Sequence, residues 1–292
     1  MKPTQGLTKS LNPQRIGSGH KPSMASATVQ LSPPVASLFI FPPGNEPQTL
    51  PPPEAGSSLI APPFTIPQPI YNAALDVKIP ITIACAYAVT VSAVNSYNRS
   101  RGNKPWAISK TKSFFWFVVA HNVLLAVYSA WTFDGMLGAV SRTFAHWNGP
   151  YGLTGAVDSL CKIHGPAGPG NAITYNTTLR GWISESPGTA LLSDIGAPDS
   201  TDVGRLWNEG LAFYGWFFYL SKFYEVLDTA IILAKGKRSS TLQTYHHAGA
   251  MMCMWAGMRY MSPPIWLFVF LNSAIHAMMV SLILWNFWKT LY

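Results

Sequence analysis

Beyond about residue 68 the apolar residues gather into five long stretches separated by polar loops, and each invites comparison with the roughly 20 apolar residues a helix needs to cross a bilayer. The pattern predicts membrane helices over 79–97, 113–133, 206–234, 242–260 and 265–288. Trp106, Trp131, Trp207, Trp285 and Trp288 stand near the ends of these stretches, where interfacial aromatic belts belong. The first two helices rest on hydropathy alone, whereas the last three also carry polar and ionisable residues. The stretch 134–205 reads as a long connection outside the membrane.

The first 68 residues have a different character. Pro33-Pro34, Pro42-Pro43, Pro51-Pro52-Pro53 and Pro62-Pro63 alternate with Ser and Gly, and such a tract buries too little apolar surface to offset its ordering entropy. The expected organisation is a disordered tail over 1–68 and a membrane domain over 69–292. The apolar run Val35 to Phe41 is short and ends at prolines, so no signal peptide is read there.

Composition supports a lipid-facing chain. Of 292 residues 48% are hydrophobic and only 11% charged, against about a quarter in soluble domains. The mean hydropathy of +0.16 averages the polar tail with the apolar remainder. A formal charge of +8 raises nucleic acid as a partner, but no RNA-binding motif or basic helix accompanies it. The basic residues instead flank apolar stretches: Arg99, Arg101, Lys104, Lys110 and Lys112 in one loop, Lys235, Lys237 and Arg238 in another. Both loops are expected on the cytosolic side, with membrane lipid as the partner. Of two glycosylation sequons, Asn98-Arg99-Ser100 would then face the cytosol and Asn176-Thr177-Thr178 the lumen. Cys85, Cys161 and Cys253 are isolated and imply neither a disulfide framework nor a metal motif.

Ionisable groups inside a bilayer helix are costly and usually line a cavity or pair with one another. The third stretch holds Lys222, Glu225, Asp228 and Thr229, and steps of three and four predict one helical face. The fourth opens with Gln243-Thr244-Tyr245-His246-His247, where Gln243 is spaced to orient an imidazole and fix its tautomer. The fifth carries Asn272 and His276, four residues apart. A paired structural network explains any one of these groups. Polar residues on three consecutive helices favour a shared interior site for proton transfer or nucleophilic attack.

These residues resemble the ELO family of fatty acid elongases. Lys222 to Thr229 is similar to its KxxExxDT motif, and Gln243 to His247 resembles its HxxHH histidine box. Asn272 to Met279 resembles its NxxxHxxM segment. Asn103-Lys104-Pro105 and His121-Asn122 resemble family positions more weakly. The resemblance implies an all-α, multispanning protein of the endoplasmic reticulum membrane in which seven helices build a barrel around a narrow tunnel. It implies condensation of malonyl-CoA with a long-chain acyl-CoA to give 3-oxoacyl-CoA, with no metal or other cofactor. A ketoacyl-CoA reductase, a dehydratase and an enoyl-CoA reductase would be the partners. His246 would take the acyl group, His247 or His276 would move protons, and Gln243 and Asn272 would orient them. Lys222, Glu225, Asp228 and Thr229 would serve substrate binding.

Three departures qualify the resemblance. Gln243 replaces the usual leading histidine, a variant that turns the substrate toward polyunsaturated chains, and Val280 stands where the family commonly has Tyr. The chain ends at Tyr292 after the fifth predicted helix, so a truncated gene model or a non-catalytic elongase-like remnant is the alternative expectation. A di-iron desaturase, which needs about eight His ligands, is excluded by seven histidines in the chain, three of them (His20, His146, His164) outside the helices.

Overall fold

The computed structural model describes residues 44–57, 62–184, 192–193 and 196–291, with side chains as far as Met279. The tail over 1–43 and the side chains of Val280, Trp285, Trp288 and Lys289 lie outside the described residues. The molecule is mostly helical: α1 (Gln68–Ala74), α2 (Lys78–Ser100), α3 (Lys112–Thr143), α4 (Gly152–Cys161), α5 (Ala212–Tyr224), α6 (Val226–Ala234), α7 (Thr241–Arg259) and α8 (Ile265–Leu291). An antiparallel hairpin, β1 (Ile173–Asn176) with β2 (Gly181–Ser184), pairs Ile173 with Ser184 and Asn176 with Gly181. The long helices α3 and α8 pack along one another, α5 packs on both and on α7, and α2 lies against α7 and α6.

Among the described residues α2 and α3 are the two helices long and apolar enough to cross a membrane. Val89 on α2 and Trp116, Leu124 and Val127 on α3 are exposed. Apolar faces left bare over such a length fit lipid rather than water. The third predicted helix is three pieces: a π-turn at Trp207–Leu211, then α5, then α6 after a break at Glu225. The second runs ten residues further than its apolar stretch, to Thr143. That extension moves Trp131 from a helix end to mid-helix, where its ring meets Phe213, Tyr214 and Phe217. Trp207 is fully buried. Neither sits in an interfacial belt: the Trp131 ring packs against α5, and the Trp207 ring lies beside His164 with its indole bonded to Leu50.

The two basic loops meet at one end of the molecule. Asn98 donates to the Leu233 carbonyl at 2.8 Å and accepts from the Trp106 indole at 2.8 Å, while the Trp106 amide donates to the Ala234 carbonyl at 3.0 Å. Gly236 adopts a positive φ of 71°, and a Cβ there would run into the Asn103 carbonyl, so only glycine lets the loops approach this closely. Ser240 caps α7 by accepting from the Gln243 amide at 3.1 Å.

The opposite end is built from what the sequence reading left as tail and connection. Thr49 donates to the Arg259 carbonyl at 2.7 Å, Arg259 donates to the Pro47 carbonyl at 2.7 Å, and the Trp207 indole donates to the Leu50 carbonyl at 2.9 Å. A proline-rich segment has few N–H groups of its own, and this one docks by offering carbonyls to half-buried and buried donors. Thr49 to Pro53 are therefore buried or half-buried, within the stretch expected to be disordered. The unpartnered carbonyls that end a helix are met in α1 by Trp216, which donates to Tyr71, and by Tyr219, which donates to Ala74.

In the 134–205 stretch, buried Arg205 ties α4 to its loop, donating to Asp158 at 2.9 Å and to the carbonyls of Pro166 and Gly168. Burial pushes His164 down to about 3, with Arg205 adding to the effect. Burial, helped by Asp199, pushes Asp202 up to about 6, and neither Asp202 carboxylate oxygen has a partner among the described residues. Neutral His164 costs stability as pH falls below about 6.5, whereas ionised Asp202 costs stability as pH rises from about 4 to 6.

Two measurements follow from this arrangement. Asp202→Asn should raise stability by about 1–3 kcal/mol at pH 7.5 and by little at pH 4; an equal gain at both would contradict the unpaired carboxylate. Expressed in cells with a glycosylation machinery, the chain should carry one glycosidase-sensitive glycan, lost in Asn176→Gln. Asn98, whose amide is consumed inside the loop contact, should carry none.

Candidate functional site

The interior site starts from one buried cation. Lys222, 1% exposed, sits near the C-terminal end of α5. Its ammonium donates to Glu225 Oε1 at 2.6 Å and to Asn272 Oδ1 of α8 at 2.9 Å, and lies 3.8 Å from the centre of the Phe218 ring. Ser221 donates to the same Glu225 oxygen at 3.3 Å. Desolvating such a pair costs several kcal/mol per ion unless the geometry and further hydrogen bonds return it. Here the carboxylate, the amide oxygen and the aromatic face together occupy the ammonium's surroundings.

Asp228 is not part of that cluster. It binds Nε2 of buried His121 on α3 at 2.9 Å, and Nδ1 of the same ring lies 3.0 Å from the Tyr224 hydroxyl. Both ring nitrogens therefore have partners, and the ring orientation is fixed from two sides. The expectation that Lys222, Glu225 and Asp228 share one face is corrected accordingly. Residues six apart on a helix lie roughly 120° round its axis, so Asp228 is carried toward α3.

Nearer the basic end, the Thr229 hydroxyl lies 2.9 Å from the Tyr87 hydroxyl of α2, and the Gln243 amide donates to the same Thr229 oxygen at 3.4 Å. Gln243 therefore braces α7 against α6 and makes no bond to His246 or His247. His247 is buried with its ring edge-on to Tyr87, at 6.2 Å between centroids. His246 is exposed, 5.6 Å from His247 between centroids. His276 is half-buried on α8, one turn beyond Asn272. No hydrogen bond or ion pair among the described residues joins His247 or His276 to the Lys222 cluster, although α7 and α8 both pack on α5, which carries Lys222. Among the described residues neither His246 nor His276 has a side-chain hydrogen bond, which leaves ring nitrogens free for a substrate. No three His, Cys, Asp or Glu side chains among the described residues converge as a metal site.

Three participants were not among the expected site residues, although His121 is one of the weaker family positions. His121 carries a signal, an imidazole in an otherwise apolar stretch, but its partners lie about a hundred residues away. Tyr87 and Tyr224 carry none, since an aromatic in a membrane helix is ordinary.

The model of the ELO: GNS1/SUR4 family matches residues 72–286 of this chain, a span that contains every side chain named above. Over 78 residues the chain is 32% identical to "Fatty acid elongase 2" of Trypanosoma brucei brucei (strain 927/4 GUTat10.1), covering 27% of this chain and 29% of that protein. Over 74 residues it is 40% identical to a Dictyostelium discoideum protein named as a fatty acid elongase, covering 25% of each. The matched stretch thus spans less than a third of either relative. No solved structure matches.

Glu225→Ala strands the Lys222 cation and should lower stability by about 3–5 kcal/mol. The double variant Lys222→Met/Glu225→Leu, which removes both charges, should lose much less. Thermal unfolding in detergent checks both, and equal losses would mean that the pair does not act as a unit.

Proposed function

This chain belongs to the ELO (GNS1/SUR4) family, which serves fatty acid elongation, and from that premise we propose that it condenses malonyl-CoA with a long-chain acyl-CoA to give 3-oxoacyl-CoA. The observation that carries the reading is the buried Lys222–Glu225 pair held to Asn272 of α8, beside an α7 that bears buried His247 and accessible His246. Nothing in lipid packing calls for such a cluster, and a reaction that moves an acyl group and generates a carbanion does.

In this reading the accessible His246 nitrogen attacks the acyl thioester, and the departing thiolate takes up the imidazole proton and leaves as CoA. Malonyl-CoA then breaks its bond to the carboxylate, releasing carbon dioxide and leaving an enolate. The enolate carbon forms a bond to the acyl carbon and expels His246, which regains a proton. Splitting the condensation into two transfers lowers each barrier. His247 and His276 supply and receive the protons, while Asn272 and Glu225 hold the ammonium of Lys222, whose charge acts on the enolate oxygen without direct contact. Asp228 and Tyr224 fix the orientation of the His121 ring, and Thr229 and Gln243 brace the helices. The reaction requires no metal ion or organic cofactor.

The setting proposed is a multi-pass protein of the endoplasmic reticulum membrane, with a ketoacyl-CoA reductase, a dehydratase and an enoyl-CoA reductase completing the cycle. Replacement of the leading histidine by Gln243 turns the acyl preference toward polyunsaturated chains.

Purified chain in liposomes, supplied with acyl-CoA and carboxyl-labelled malonyl-CoA, should release labelled carbon dioxide and form a 3-oxoacyl-CoA two carbons longer. His246→Ala should lower that rate by at least about a hundredfold. Full activity in this variant, judged on folded protein, would remove His246 from the nucleophile's place.

A further inference from the structure

At the end of the bundle opposite the basic loops, α4 is mounted with its sides reversed. Asp158 and Ser159 face the protein, whereas Leu153 is 72% exposed and Val157 52%. Hydrogen bonds fix this rotation. Arg205 donates to the Asp158 carboxylate at 2.9 Å, and the Ser159 hydroxyl accepts from the Ala145 amide at 3.2 Å and donates to the Ala156 carbonyl at 2.8 Å. Residues four apart share a helix face, so Leu153, Val157 and exposed Cys161 form one outward stripe with no charged side chain. A bare apolar face of this kind marks an interaction site.

The place of α4 in the fold says what covers it. A short link joins it to α3, which ends at Thr143, and the bare apolar face of α3 reaches Leu137 near that end. On the other side, the Trp266 indole donates to the Leu160 carbonyl at 3.0 Å, and Trp266 is the second residue of α8. α4 is therefore held at the level where one apolar helix ends and another begins. Trp147 and Tyr151, in the link before α4, are both exposed, and these are the side chains enriched where a bilayer meets water.

We propose that α4 is an interfacial helix, with its Leu153–Val157 face resting on the membrane leaflet opposite the basic loops and Trp147 and Tyr151 at headgroup level. A helix in that position buries its apolar face at the boundary between headgroups and acyl chains. α4 contains no Lys or Arg, so a neutral phosphatidylcholine surface suffices and anionic lipid adds nothing to this contact. The contact moors the 134–205 stretch, hairpin included, to the bilayer. It does not rest on the condensation reaction proposed above.

The test uses the full chain in phosphatidylcholine nanodiscs. Cys85, Cys161 and Cys253 are replaced by Ala, and an environment-sensitive fluorophore is attached at Leu153→Cys, at Val157→Cys or, on the exposed turn of the hairpin, at Thr177→Cys. A spin-labelled phosphatidylcholine and aqueous iodide serve as quenchers. Labels at 153 and 157 should lose most of their emission to the lipid quencher and little to iodide, and the label at 177 should do the reverse. Iodide quenching at 153 and 157 equal to that at 177 overturns the proposal. Shielding from both quenchers also overturns it, because protein, from a second copy or another chain, then covers the face. Should the cysteine replacements impair folding, the unsubstituted chain in discs containing a photoactivatable phosphatidylcholine gives an independent reading. Lipid adducts are expected on peptides containing Leu153 and Val157, as on those spanning Trp116 to Val127 of α3. Adducts on α3 alone overturn the proposal.

Discussion

The placement of one ammonium group in the middle of an apolar helix bundle constrains most of the interior. Lys222 is held where neither water nor a lipid headgroup is at hand, and a bare charge there would be prohibitive. Glu225 has to sit one turn away, Asn272 has to reach across from α8, and Phe218 has to offer its ring. These demands fix the rotation of α5 and the register between α5 and α8. Asp228, six residues on and roughly 120° round the axis, meets His121 of α3 instead. Two ionic clusters, one to α8 and one to α3, result from a sequence that reads as one.

The ends of the bundle are stabilised differently. At the basic end, side-chain amides and an indole stitch two loops together, with Asn98 and Asn95 each meeting backbone groups on the far loop. At the other end, tryptophans, tyrosines and an arginine donate to carbonyls of proline-rich or helix-terminal backbone. In both places the aromatic or cationic side chain provides packing volume and a donor at once, which suits regions where α-helix ladders stop and backbone groups need partners.

Much of this was legible beforehand. The helix positions of α2, α7 and α8 followed from apolar stretches, and the motif residues Lys222, Glu225 and Asn272 form a contact between two of the three polar helices, without a residue of α7. The break at Glu225 was not legible, because Tyr-Glu-Val carries no helix-breaking residue and the break is set by tertiary partners on two sides. The role of Gln243 was misjudged because spacing along α7 ignores the Thr229 hydroxyl of α6. His121 was visible as an imidazole in an apolar run, but its bonds to Tyr224 and Asp228 span more than a hundred residues, and no local pattern encodes such a pairing. The burial of Thr49 to Pro53 was equally hidden, since proline-rich composition argues for disorder unless buried donors elsewhere in the chain meet its carbonyls.

The central claim is that these interior groups form a reaction site, with His246 accepting the acyl group. It is tested most directly by intact-protein mass spectrometry of the full chain after exposure to acyl-CoA without malonyl-CoA. The account predicts a mass gain of one acyl group, located on His246 by peptide mapping and discharged when malonyl-CoA is added. An unmodified protein that still forms 3-oxoacyl-CoA, or an acyl group carried by a cysteine instead, would contradict it.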